Sequence, residues 1–236
     1  MNNNFKIVSF IGSLNDGMSN KITLLLEQKI ATILDNKIKI NNHKNSDIKY
    51  CIGCKSCFIN GKCFIEDDIN TIKNDILNSD LFIISTPVYA KAISGLTKSF
   101  IDRLSSWMHL MPLAGKYCVI IVCTYNNGLN EVVSYLYEVM SFLGLTVIGV
   151  ITFSKEHTAE SLEIQMNLIL DYLIRLYYLK NGHSNLILEE KYKAYDLAYQ
   201  IMLDNRSNNF ELLKWIKQGY LGKADFDEII KYNNKL

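Results

Sequence analysis

Leu81-Phe82-Ile83-Ile84-Ser85-Thr86-Pro87-Val88-Tyr89-Ala90-Lys91-Ala92-Ile93-Ser94-Gly95-Leu96-Thr97-Lys98-Ser99-Phe100-Ile101-Asp102-Arg103 is the stretch whose reading decides the fold. Residues 81–84 are apolar with no polar alternation, the pattern of a strand buried on both faces of a parallel sheet. Pro87 has no N–H and fixes its own φ, so the strand is expected to stop there. Past a turn carrying Tyr89, Ser94 suits the N-cap of a helix that puts Leu96, Phe100 and Leu104 on one face and runs to about Trp107. A strand that hands over to a helix in this way leaves its loop at the strand's carboxyl end, the edge at which open α/β sheets bind ligands.

The same alternation extends both ways along the chain. Residues 5–11 read as a first strand, followed by a Gly/Ser/Asn loop over residues 12–20 and a helix carrying Ile22, Leu25, Leu26 and Ile30. Residues 37–40 read as a second strand, residues 41–50 as irregular, and Asp67-Asp68 as the acidic start of a helix bearing Ile69, Ile72 and Ile76. Residues 117–123 and 145–152 complete five strands, with a helix over 131–143 between them. Strands alternating with helices imply a doubly wound parallel α/β sheet with right-handed crossovers. From about Thr158 the chain reads as helical. Leu162, Ile164, Met166, Leu168, Ile169, Leu173 and Leu176 form an apolar stripe closed by Asn181-Gly182, and three further helices follow over 189–203, 208–217 and 225–231. The expected division is 1–155 for the α/β domain and 156–236 for a helical extension serving packing or oligomerisation.

Composition limits the function classes. A net charge of +1 gives no basic excess for nucleic acid or a membrane surface, and no apolar run is long enough for a bilayer. Residues 1–4 lack the features of a secretion signal, so the expectation is a cytoplasmic, reducing setting in which the six cysteines are thiols, ligands or redox groups before disulfides. His43, His109, His157 and His183 are scattered, and no Ser–His–Asp or paired-carboxylate arrangement stands out. Any chemistry then belongs to a cofactor.

Gly12-Ser13-Leu14-Asn15-Asp16-Gly17-Met18-Ser19-Asn20 joins a strand to a helix, so backbone N–H groups and the helix dipole face a possible anion. Together with Thr86-Pro87-Val88-Tyr89, Ser94-Gly95 and residues 98–103, it resembles the NAD(P)H-dependent FMN reductase and iron–sulfur flavoprotein group, which has a flavodoxin-like fold. The first loop matches a Gly-Ser-x-Arg-x-Gly-x-x-Asn pattern at Gly12, Ser13, Gly17 and Asn20. It departs at Asn15, where the pattern has arginine, which leaves phosphate charge to dipoles and hydrogen bonds. The resemblance implies FMN held by Ser13, Asn15, Met18, Ser19 and Asn20 at its phosphate end. It implies Thr86, Pro87, Val88, Tyr89 and Ala90 along the ring, and Thr124 and Gly128 as a third contact. Lys91 stands where relatives often have glycine, and Asp102 and Arg103 are expected to be helix-surface residues.

Cys51, Cys54, Cys57 and Cys63 give a C-x2-C-x2-C-x5-C spacing. Three thiols within seven residues can wrap one corner of a cubane, and the fourth can close it after Gly61. A cluster, free thiols, zinc and a redox disulfide all remain open on spacing alone. The resemblance to iron–sulfur flavoproteins implies a 4Fe–4S cluster on these four residues, although cluster-free relatives carry a similar segment. Cys118 and Cys123 lie in an apolar strand and read as packing.

The function expected is an FMN-dependent oxidoreductase, taking electrons from NAD(P)H or a ferredoxin-like donor to a small-molecule or protein acceptor, as a homodimer or homotetramer. The competing expectation is a non-catalytic flavodoxin-type electron carrier, which near-neutral charge and the cysteine segment disfavour.

Overall fold

A computed structural model describes residues 5–34, 38–179 and 184–233 of the chain. Residues 1–4, the expected Lys37 strand start, the Asn181-Gly182 stop and His183 lie outside the described residues. Five parallel strands form the sheet in the order β2-β1-β3-β5-β6: β1 (Phe5–Ile11), β2 (Ile38–His43), β3 (Leu81–Tyr89), β5 (Tyr117–Cys123) and β6 (Thr146–Phe153). A two-residue strand, β4 (Ala92–Ile93), pairs antiparallel with the end of β3. This is the flavodoxin-like doubly wound order, with the switch point between β1 and β3.

Alternation along the strands sends side chains to two separate cores. Ile7, Leu81, Ile83, Val119 and Ile121 pack on Ile22, Leu26 and Ile30 of α1 (Met18–Ile33) and on Met166, Ile169 and Leu173 of α7 (Ala159–Leu179). On the other face, Phe10, Phe82, Ile84 and Ile120 meet α3 (Ile69–Leu77), α4 (Gly95–Asp102) and α6 (Leu129–Phe142). There Phe10 and Phe100 stack with ring centroids 4.0 Å apart, coupling the first strand to the helix that follows β3. Cys118 and Cys123 are buried in the sheet, as their apolar setting implies.

Four expectations need correcting. First, β3 does not stop at Pro87 but pairs it with Cys123 and continues to Tyr89. β1 pairs with β3 only as far as Ser85, so on that side Pro87 has no ladder left to interrupt. Second, β2 runs on through Asn41 and Asn42, because parallel pairing with Val8 and Ser9 overrides the weak strand propensity of asparagine. Third, the helix after Ser94 is broken at Arg103 and Leu104, and a short α5 (Ser105–Met108) follows. Fourth, Ile164 and Leu168 lie on the outer side of α7, 54% and 67% exposed, and take no part in its buried stripe.

Beyond α7, a third core joins α8 (Leu186–Asp204), α9 (Phe210–Gln218) and α10 (Phe226–Asn233) around the buried Trp215 and Tyr192. Leu110, Met111 and Ala114, from the connection into β5, belong to this core, so the last three helices lean on the segment that follows α5. Among the described residues no helix is long and apolar enough to cross a membrane.

Candidate functional site

Three loops meet at the carboxyl edge of the sheet: hydrogen bonds fasten the first to the second, and close packing at Gly128 joins the third. Gly12 donates its N–H to Ser85 O at 2.7 Å and accepts from Ser94 Oγ at 2.6 Å. A Cβ at Gly12 would stand 1.8 Å from Thr97 Oγ1, so only glycine lets the first loop lie this close to the start of α4. Ser94 caps α4 as the sequence implies, accepting from Thr97 N at 3.1 Å. Thr86 is wholly buried, and its hydroxyl accepts from Thr97 Oγ1 (3.0 Å) and Ser94 N (3.2 Å) while donating to Pro87 O. Its side chain therefore builds the loop and leaves only backbone groups for a ligand.

The Tyr89-Ala90-Lys91-Ala92 hairpin turn has φ of +49° at Ala90 and +63° at Lys91. Both central residues are left-handed, as a type I′ turn requires, although neither is glycine or asparagine. That conformation costs about 1–2 kcal/mol per residue. Gly128 braces it: a Cβ there would meet Lys91 Cα and Val88 Cγ1, each at 2.7 Å, and Gly128 itself has φ of +80°. Thr124 is held within its own connection, donating its N–H to Phe153 O of β6 at 2.8 Å and its hydroxyl to Asn127 O. Tyr89 stands 57% exposed at the tip of the rim.

The first loop leads into an uncapped helix start. Gly17 precedes α1 and supplies no side-chain cap, so the N–H groups of Met18, Ser19 and Asn20 have no intrahelical partner. Ser13, Ser19 and Asn20 are buried beside them, whereas Asn15 and Met18 face outward. Asn20 Nδ2 donates to Asp16 Oδ1 at 3.0 Å, and its Oδ1 is buried with no donor. A buried acceptor in this state can take a hydrogen bond from water or from an O–H or N–H group of a ligand. Phosphate and polyol chemistry fit this donor set.

The cysteine segment lies on the same edge, after β2. Cys51 and Cys54 are exposed, Cys57 and Cys63 half-buried, and all are free thiols. Cys57 sits in α2 (Ser56–Asn60), a short helix flanked by left-handed Lys55 and Gly61. Their number and spacing suit a cluster, but among the described residues no three ligand-type side chains converge on one metal position.

Arg103, expected on a helix surface, is instead 3% exposed. Its guanidinium grips both ends of the cysteine segment, donating to Lys49 O (2.9 Å), Ile65 O (3.2 Å) and both carboxylate oxygens of Asp67 (2.5 and 3.1 Å). Burial opposes both charges, but the pairing wins: the Asp67 carboxyl is held below, and Arg103 above, the ordinary value. Arg103 Nε is buried without a hydrogen-bond partner, and Cys63 is near enough to help raise the guanidinium's pKa. Lys73 extends over the Trp107 ring at 5.3 Å; burial lowers its pKa, and the proximity of Cys57 and Cys63 acts against that.

The sequence gives no sign of these two cations, nor of the support from α9. Phe210 fills the notch left by Gly61, where a Cβ would stand 2.3 Å from its ring. His109 touches Phe58 and pairs with Glu211 at 2.9 Å. Of the other described histidines, His43 bonds to Asp75 and His157 to Ser154.

The profile of the sequence family "NADPH-dependent FMN reductase" matches residues 5–160, which hold the whole rim. The chain belongs to this family. Among curated proteins it is 34% identical over 114 residues to an iron–sulfur flavoprotein of Archaeoglobus fulgidus, covering 48% of this chain and 50% of that one. An iron–sulfur flavoprotein of Clostridioides difficile is 34% identical over 116 residues, again 48% and 50%. The chain thus spans about half the length of the curated relatives it matches. Among solved structures, a flavone reductase superposes with TM-score 0.58 at 12% identity, over 77% of this chain and 66% of that one. An apo NADH:FMN oxidoreductase gives 0.53 at 18%, over 71% and 87%. Both likenesses concern the fold.

Proposed function

We propose that the chain is an FMN-dependent oxidoreductase. The observation that carries this is the open N-terminus of α1 beside the buried, donorless Asn20 Oδ1, at a rim where three loops are locked together. In this reading the N–H groups of residues 18–20, with Ser13 and Ser19, hold the phosphate, and Asn20 Oδ1 takes a ribityl hydroxyl. Asn15 and Met18 border that end. Pro87, Val88, Tyr89 and Ala90 line the ring through backbone and aromatic contact, Thr86 holds their loop in place, and Thr124 and Gly128 close the far side. FMN, when bound, supplies hydride or electron transfer. The protein positions the ring and leaves one edge open for NAD(P)H or a ferredoxin-like donor and for the acceptor.

The cysteine segment is the second half of the proposal. Cys51, Cys54, Cys57 and Cys63 are the candidate ligands of a 4Fe–4S cluster, supported by their spacing and by the two named relatives. Cys51 and Cys54 are exposed and Cys57 and Cys63 half-buried, so loading a cluster would require the segment to rearrange. A reducing, cytoplasmic setting suits six free thiols.

Anaerobically purified protein is expected to be yellow to brown and to release FMN on denaturation. Protein that stays colourless after incubation with FMN overturns the reading.

A further inference from the structure

The loop over residues 12–20 carries one charge, and its sign is wrong for a phosphate: Asp16. Asn15 leaves it without the arginine of the family pattern. The structure brings a cation from elsewhere. β2 runs beside β1 in parallel register as far as Phe10↔His43, so Lys44 leaves the sheet at the same edge as Gly12. Its backbone N–H is held by Asn42 Oδ1 at 3.1 Å, and its ammonium pairs with Asp16. The Lys44 side chain is only 21% exposed against 79% for Asp16, so its stem is packed and the ammonium is delivered to the loop. Asp16 also accepts from Asn20 Nδ2. A carboxylate can only accept, so this bond fixes the amide's orientation and turns Oδ1 away, into its buried, donorless position. Asp16 thus gathers one cation and one oriented amide at the open end of α1.

We propose that Lys44 is the countercharge for the FMN phosphate, supplied from β2 in place of an arginine at position 15. This rests on the FMN reading above and adds a residue to it. Asp16 holds the ammonium beside the loop. A phosphate monoester, close to dianionic at neutral pH and held by the unpaired N–H groups, draws it across because two negative charges outweigh one solvated carboxylate. Lys21, the next cation along, already contributes to the field at Asp16, and the same field favours the phosphate.

The test is a flavin titration of the apoprotein, followed by fluorescence quenching, with FMN and riboflavin as separate probes at low and high salt. Lys44→Met is expected to raise the FMN Kd about tenfold at low salt, the loss of one charge-assisted hydrogen bond. The riboflavin Kd should stay unchanged, and Lys44→Arg should restore FMN binding. The native preference for FMN over riboflavin should shrink in Lys44→Met by the same factor. Equal FMN affinity in native and Lys44→Met protein overturns the assignment and leaves the FMN reading standing; so does an equal loss for both flavins. Native protein that binds neither flavin overturns the FMN reading, and the assignment with it.

Discussion

Arg103 and Asp67 form an ion pair with 1% and 0% of their side chains exposed, and that pair closes the base of the segment carrying four cysteines. The segment is otherwise mostly irregular between Lys49 and Ile65, whose carbonyls the same guanidinium holds. Removing one member of a buried pair leaves the other charge uncompensated and costs about 3–5 kcal/mol. Asp67→Asn and Arg103→Met are each expected to lose stability on that scale in urea denaturation. Asp67 has a lowered folded pKa, so its contribution is present above the unfolded value of about 3.9 and lost as pH falls through the folded one. Acid unfolding of Asp67→Asn should lack that component.

Replacing Cys54 by Ser tests ligation without touching the flavin rim. The Cys54 side chain is exposed, so the change should leave stability within about 0.5 kcal/mol. Iron should be lost from anaerobically purified protein while FMN stays at its native ratio. Iron content equal to the native protein's refutes ligation by this set.

The parts of the fold readable from the sequence are those fixed by local rules. The apolar run 81–84, the cap at Ser94 and the stripe Ile69, Ile72, Ile76 specify their elements through neighbours a few residues away. What escaped reading depends on distant partners. Arg103 looks like the polar end of a helix face until Asp67, 36 residues earlier, meets it in the interior. Ala90-Lys91 has no turn-forming residue, and its left-handed pair is held by Gly128 from a different crossover. Gly61 reads as a turn, yet its bare Cα also makes room for Phe210, 149 residues on. At the candidate site the glycines and hydroxyls were legible as a pattern, whereas Lys44 sits in a polar stretch with no pattern at all.

Lys91→Gly should stabilise the protein by about 1 kcal/mol, because glycine carries no penalty at positive φ. The readout is the midpoint of thermal or urea unfolding. A lower midpoint would mean that the Lys91 side chain contributes more than its backbone costs.

His109 and Glu211 join α5's end to α9, and the pairing raises the histidine's pKa against the pull of burial. A raised folded pKa gives stabilisation that is complete below the unfolded value, about 6.5, and vanishes as pH rises through the folded one. The Tm difference between native protein and Glu211→Gln should therefore be larger near pH 6 than near pH 9. A difference independent of pH would assign Glu211 to its contact with the Tyr199 hydroxyl instead.

Gly12→Ala tests whether the rim is a locked unit. The added Cβ lands 1.8 Å from Thr97 Oγ1, and that hydroxyl cannot swing aside without releasing Thr86, to which it donates at 3.0 Å. Overpacking of this kind costs roughly 1–3 kcal/mol and should weaken FMN binding in step, since the two loops proposed to hold the phosphate and the ring share the displaced atoms. Thr97→Ala alone removes a buried hydrogen-bonding group and also destabilises, by about 1 kcal/mol. In the double variant the clash has lost its target, so the two losses should fall short of their sum. Strict additivity of stability and of FMN affinity would show that the two loops move independently, and the rim would then lack the rigidity that the proposed flavin site requires.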